Sequence, residues 1–218
     1  MTMMIEIKNI SKRYSRAGEE FTALSSISLT INKGDYIVVT GASGAGKSTL
    51  LYSIGGLIRP DSGEVMFNGK DLYRNDGAEL ATYRKINVGF MFQQFHLMPY
   101  LTVYENIKLA CYDEKYLADI DTYLERCSLA ELKNKYPSEL SVGEKQRTAF
   151  IRAIITRPGI LLADEPTGNL DPANSSILFR LIDDFHKNGG TIVVVTHDPV
   201  PVKYSNRNVM LDKGKIIS

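Results

Sequence analysis

The run Gly41-Ala42-Ser43-Gly44-Ala45-Gly46-Lys47-Ser48 matches the pattern G-x-x-x-x-G-K-[ST] without a gap. Glycines at this density let backbone N–H groups crowd around an anion with no Cβ in the way. Lys47 can then reach the β- and γ-phosphates of a nucleotide, and the Ser48 hydroxyl can ligate Mg²⁺. The pattern needs a strand before it and a helix after it. Tyr36-Ile37-Val38-Val39-Thr40 is a short, apolar, β-branched run of the kind that forms a buried parallel strand. Leu50, Leu51, Ile54 and Leu57 recur at helical spacing, so a helix N-terminus and its positive dipole end face the phosphates.

Outward from the loop, the first third reads as short strands. Ile5 and Ile7 alternate with polar residues, residues 26–31 alternate again, and Asn32-Lys33-Gly34-Asp35 turns into the loop strand. A further strand runs from Glu64 to Phe67 and ends in the Asn68-Gly69 turn. From about Tyr104 to Arg157 the pattern is mostly helical, with Tyr123, Leu124 and Cys127 on one face, then Ala149, Ile151, Ala153 and Ile154. Strand character returns at residues 159–163 and 191–196, separated by a helix carrying Ile177, Leu178, Leu181 and Ile182. Residues 208–217 read as a hairpin about Asp212-Lys213-Gly214. Strands alternating with helices imply a parallel α/β core, with the helical middle as an inserted lobe.

Composition bounds the rest. A chain of 218 residues suits one domain and can bury a sizeable core. Its 26 basic and 25 acidic residues give a formal charge of +1, with no basic run to grip nucleic acid. Cys111 and Cys127 have no metal-type spacing and fit a reducing cytosol. No apolar run approaches the roughly 20 residues that span a bilayer, and the N-terminus does not read as a signal peptide. The expectation is a soluble chain whose membrane role, if any, comes through a partner.

Other residues carry candidate chemistry. The strand Ile160-Leu161-Leu162-Ala163 runs into Asp164 and Glu165, two adjacent carboxylates that repel unless a cation intervenes or their roles differ. In a phosphate-loop protein Asp164 belongs near Mg²⁺, leaving Glu165 to polarise a water. Ser141 and Glu144 form a capping box at a helix start, and with Gly143 the same start is also an anion site; spacing does not choose between the two. His197 at a strand end reads as a polar terminus before context, Tyr14 as packing whose ring could stack on a base, and Gln93-Gln94 as a strand exit.

In this order, the segments resemble the nucleotide-binding subunit of an ATP-binding cassette (ABC) transporter, over essentially the whole chain. The most specific element, Leu140-Ser141-Val142-Gly143-Glu144-Lys145-Gln146-Arg147, is similar to that family's signature sequence. Phe92-Gln93-Gln94-Phe95 and the run from Leu162 to Asp171 look like the subgroup serving lipoprotein release, macrolide, peptide and haem efflux and cell-division permeases. The resemblance implies an α/β phosphate-loop ATPase fold with an N-terminal antiparallel β-subdomain and a helical subdomain inserted at about 95–157 of a single 1–218 domain.

It also implies roles. Tyr14 stacks on adenine; Gly41, Ala42, Ser43, Gly44, Ala45, Gly46, Lys47, Ser48 and Thr49 hold the phosphates of ATP. Ser48, Gln93 and Asp164 serve Mg²⁺, Glu165 is the catalytic base, His197 contacts the γ-phosphate, and Gln93 also senses the water and the membrane partner. Ser141 and Gly143 bind ATP held by a second copy in a head-to-tail dimer, with Asp171 at the seam. The implied protein is an ATPase, cytoplasmic and peripheral on the inner face of the membrane. It drives a separate integral permease, with no nucleic-acid partner and no membrane insertion of its own.

Two features depart from the family pattern. Val142 stands where glycine is usual, adding a Cβ that disfavours positive φ. The segment between Gln93 and Leu140 is short for the subgroup, near residues 110–116. A regulatory or mechanical ATPase that pulls on a membrane protein without transport is the alternative, and the sequence holds no discriminator. A cassette ATPase of translation or DNA maintenance fits less well, lacking a tandem copy, a coiled-coil insertion and a basic stretch. A phosphate-loop kinase leaves residues 141–147 and His197 without a role.

Overall fold

The structure, a computed structural model, describes residues 2–16, 18–74, 77–198 and 200–217. Two sheets organise it. An antiparallel sheet is built from β1 (Met3–Arg16), β2 (Glu19–Asn32), β4 (Ser62–Phe67) and β5 (Lys70–Asp71), in the order β2-β1-β4-β5. The second sheet has the order β10-β9-β3-β8-β7-β6. Its strands are β3 (Tyr36–Thr40), β6 (Val88–Met91), β7 (Ile160–Asp164), β8 (Thr191–Val195), β9 (Arg207–Asp212) and β10 (Lys215–Ile216). Every pairing in it is parallel except the terminal β9–β10 hairpin.

The parallel strands are apolar throughout because both faces are covered. Along β3, Ile37 and Val39 join a core shared with the antiparallel sheet and α1 (Lys47–Ile54). Tyr36 and Val38 join a second core. That core packs against α3 (Val103–Lys108), α4 (Ile120–Arg126), α5 (Val142–Ile154) and α6 (Pro172–Lys187). Residues Ile160 to Ala163 of β7 and Ile192 to Val195 of β8 alternate between the same two cores, as the two-residue period of a strand requires.

Several expectations need correcting. The first third holds two 14-residue strands rather than short ones, kept in register by irregularities between Ile7 and Ile10 and again up to Arg13. Leu57 lies beyond α1, whose last turn closes on Gly55, and is exposed. The helical middle is broken into α3, α4, α5 and several 3₁₀ turns. A helix, α2 (Gly77–Asn87), stands where the sequence suggested nothing; it buries only Tyr83, so it has no apolar stripe to read. Val142 opens α5 in helical backbone and needs no positive φ.

Candidate nucleotide site

The C-terminal ends of β3, β6, β7 and β8 converge, so the loops that leave them share one crevice, where open α/β sheets hold their ligands. The loop after β3 runs into α1 through Gly46, whose φ of +102° is left-handed. A Cβ at Gly46 would collide with the Ala23 carbonyl of β2, so the loop reaches its shape only with glycine here. Lys47 is 8 % exposed, and its ammonium donates to the carbonyls of Gly41 at 2.8 Å and Ala42 at 3.0 Å. Ala42 also closes the turn by accepting from Ala45 N.

At the end of β7 the two carboxylates part company. Asp164 is 4 % exposed and accepts from Ser48 Oγ at 2.9 Å and from the Tyr52 hydroxyl at 2.5 Å. Glu165 takes a left-handed φ of +45°, an uncommon conformation for a side-chain-bearing residue. Its N–H donates to the Val195 carbonyl. Its Oε2 accepts from Thr196 Oγ1 at 3.1 Å, lies 2.9 Å from His197 Nδ1, and receives the His197 backbone N–H at 3.3 Å. The adjacent acids thus tolerate each other because separate sets of donors hold them.

A cavity of about 590 Å³ lies over these groups. Gly41, Ser43, Gly44, Gly46, Lys47, Ser48 and Thr49 line one wall, Gln93, Glu165 and His197 another, and Tyr14 and Phe21 a third. The two aromatics are cross-strand partners on β1 and β2, with ring centroids 5.4 Å apart and stacked at 26°. The pair presents an apolar ledge beside the phosphate loop.

Sequence reasoning missed Phe21, Tyr52 and Thr196. The four-residue spacing of Ser48 and Tyr52 on α1 could have flagged Tyr52 as sharing the Ser48 face. The pairing of Tyr14 with Phe21 depends on a bulged register that no local pattern announces.

Ser141, Gly143 and Asp171 are not among the cavity's lining residues. Ser141 caps α5, accepting from Glu144 N at 3.3 Å while the Glu144 carboxylate takes Ser141 N at 2.7 Å. Asp171 caps α6 through Asn174 N, and this bond helps hold its carboxyl below the usual range. A Cβ on Gly143 would come within 2.5 Å of Asn174 Oδ1. That oxygen accepts from Arg147 at 3.2 Å, so Gly143, Asn174, Asp171 and Arg147 form one interlocked corner.

Comparison with known proteins agrees with this geometry. The ABC transporter family model matches residues 24–168. The chain is 38 % identical over 224 residues to the lipoprotein-releasing system ATP-binding protein LolD of Geobacter metallireducens, covering all of both chains. It is 39 % identical over 218 residues to the macrolide export ATP-binding/permease protein MacB of Chlorobaculum tepidum, covering 98 % of this chain but 34 % of that longer protein. Among solved structures, a dimeric bacterial ABC transporter cassette superposes with a TM-score of 0.91 at 35 % identity, over 99 % of this chain and 97 % of that one. The same cassette in a post-hydrolysis state bound to ADP and Pi also scores 0.91, at 34 % identity and the same coverage.

The chain belongs to the ABC transporter family. Within it, the chain is an ATP-binding subunit with ATPase activity. Among the described residues no helix is long and apolar enough to cross a membrane.

Proposed function

We propose that the chain binds Mg-ATP in the cavity under Tyr14 and Phe21, closes over it as a head-to-tail dimer, hydrolyses it, and so drives a separate membrane permease from the cytoplasmic face. The observation that carries this reading is the Glu165 carboxylate. Held through Oε2 by Thr196 and His197 at the rim of the phosphate loop, it has no donor to Oε1 among the described residues. That oxygen is available to a water, a general-base contribution typically worth about 10²–10⁴ in rate.

Each of the remaining assignments has its own support. Ser48 Oγ and Asp164 Oδ1, hard oxygen donors 2.9 Å apart beside the loop, suit Mg²⁺, which prefers one or two protein ligands together with substrate phosphates. The ion would neutralise charge developing on the phosphates when bound. The loop N–H groups and Lys47 orient the phosphates, Gln93 and His197 close the far wall, and the aromatic ledge takes the base. Ser141 and Gly143 lie outside their own chain's cavity, which leaves them for a partner copy's nucleotide, with Asp171 at the seam. Residues 95–157 form the helical lobe.

A second groove, of about 390 Å³, runs from the exit of β6 to the end of α3. Phe90, Phe92 and Leu109 line it with Arg84, Lys85 and Arg152, and Leu109 is 59 % exposed. Arg152 pins the carbonyls of Phe95 and His96, just past Gln93. A groove of aromatic and cationic side chains that reaches Phe92, the neighbour of Gln93, supports docking of the permease there. LolD and MacB are named for lipoprotein release and macrolide export, and an export system of that type is the partner proposed.

The decisive experiment is Glu165→Gln. It should bind ATP and dimerise on it with turnover lost, read by light scattering and phosphate release; near-normal hydrolysis would overturn the assignment.

A further inference from the structure

Both oxygens of Asp164 are engaged, and they are engaged by one helix. Ser48 and Tyr52 stand four residues apart on α1, so both face β7. Ser48 holds Oδ1 at 2.9 Å and the Tyr52 hydroxyl holds Oδ2 at 2.5 Å. A carboxylate turns easily about its last torsion, since that rotation is broad and two-fold. Two bonds from one rigid helix remove the freedom.

The two bonds have different fates. A serine hydroxyl that ligates a cation through a lone pair keeps its O–H free to donate, but the Asp164 oxygen it faces is the one the cation would also draw on. Among the described residues Tyr52 is the side chain that holds Oδ2, so it fixes the carboxylate without competing with the cation. The Tyr52 ring is itself fixed against Phe92, with centroids 6.0 Å apart, and Phe92 stacks on Phe90 at 5.3 Å.

The geometry points to Tyr52 as the positioning residue for Asp164, anchoring Oδ2 so that Oδ1 stays turned toward Ser48, where the two residues would hold a cation. This inference rests on the cation assignment of Ser48 and Asp164 above.

The test uses the full chain and two variants, Tyr52→Phe and Asp164→Asn. ATP binding is measured in EDTA and in excess Mg²⁺, and the electron paramagnetic resonance spectrum of Mn²⁺ is recorded in the ADP complex. Tyr52→Phe keeps the ring and removes only the hydroxyl. The expected result is EDTA affinity within two-fold of the parent, a loss of about ten-fold in the tightening that Mg²⁺ confers, and an altered Mn²⁺ spectrum. Tyr52→His, which can still donate, should recover part of the tightening.

Parental Mg²⁺ tightening in Tyr52→Phe overturns the inference, even if its melting temperature falls, because the hydroxyl is then only structural. If Asp164→Asn loses the Mg²⁺ effect while Tyr52→Phe keeps it, only the role of Tyr52 fails. If Asp164→Asn also behaves as the parent, the cation assignment itself fails.

Discussion

Glu165 Oε2 and His197 Nδ1 lie 2.9 Å apart, and the same oxygen takes the Thr196 hydroxyl and the His197 backbone N–H. Three contacts on one oxygen fix the plane of the carboxylate. Glu165 has left-handed backbone just past β7, and its side chain reaches the end of β8.

His197 is mostly exposed, with its side chain 74 % accessible, so it contributes little to packing. Removing it should spare the fold and injure chemistry. His197→Ala is expected to lower kcat by about 100-fold or more while ATP affinity stays within about three-fold. Phosphate release and nucleotide binding measured on one preparation separate the two effects. An equal loss in both would make His197 a general binding contact instead.

Phe21 is 52 % exposed on the ledge beside Tyr14. Stacking on a base is worth about 1–3 kcal/mol by alanine substitution. Phe21→Ala should therefore weaken ATP and ADP by at least about five-fold, and by the same factor, because stacking concerns the base and not the phosphates. Tripolyphosphate, which has no base, should bind the variant as it binds the parent. Unequal losses for ATP and ADP would place Phe21 outside the base-binding wall.

What the sequence could reveal follows from the range of each interaction. The phosphate loop was legible because its chemistry is backbone chemistry over eight consecutive residues, and the Ser141–Glu144 cap because its partners sit three apart. Asp164 and Glu165 were legible as a strand end, but not the separate donors that let them coexist. Those donors, Tyr52 and Thr196, lie 112 and 31 residues away along the chain. Phe21 was hidden because the bulges in β1 decide which residue faces Tyr14. Helix α2 was hidden because it buries one tyrosine, with Leu80 only partly covered beside it, and Leu57 misled because apolar spacing continues past the glycine that ends α1.

Cys127 supplies a pH dependence. It is 2 % exposed, and burial pushes its thiol up from 9.0 to about 12. In the unfolded chain the thiol ionises near its ordinary value, while in the folded chain it stays protonated. The stabilisation is full below about pH 9 and is lost as pH rises toward 12, at about 1.4 kcal/mol per pH unit. Between pH 8 and 9.8, Cys127→Ala should lose less stability than the parent, as urea midpoints will show. The cavity that alanine leaves costs the same at both pH values and cancels. Equal slopes would mean that Cys127 ionises alike in both states.

The separation of Ser141 from its own chain's cavity predicts complementation. Lys47→Ala should bind ATP poorly and turn over little, because it removes the cation at the phosphates. Ser141→Arg should also be inactive, at a cost of about 1 kcal/mol for the lost cap, since a long side chain would block the partner's nucleotide. In a head-to-tail dimer, mixing the two variants concentrates both defects in one site and leaves the other intact. Turnover should reappear in the mixture, reaching up to half the parental rate per mixed dimer. Were each site built from one chain, every site in the mixture would carry a defect and no activity would return. Phosphate release across a titration of one variant into the other distinguishes the two outcomes.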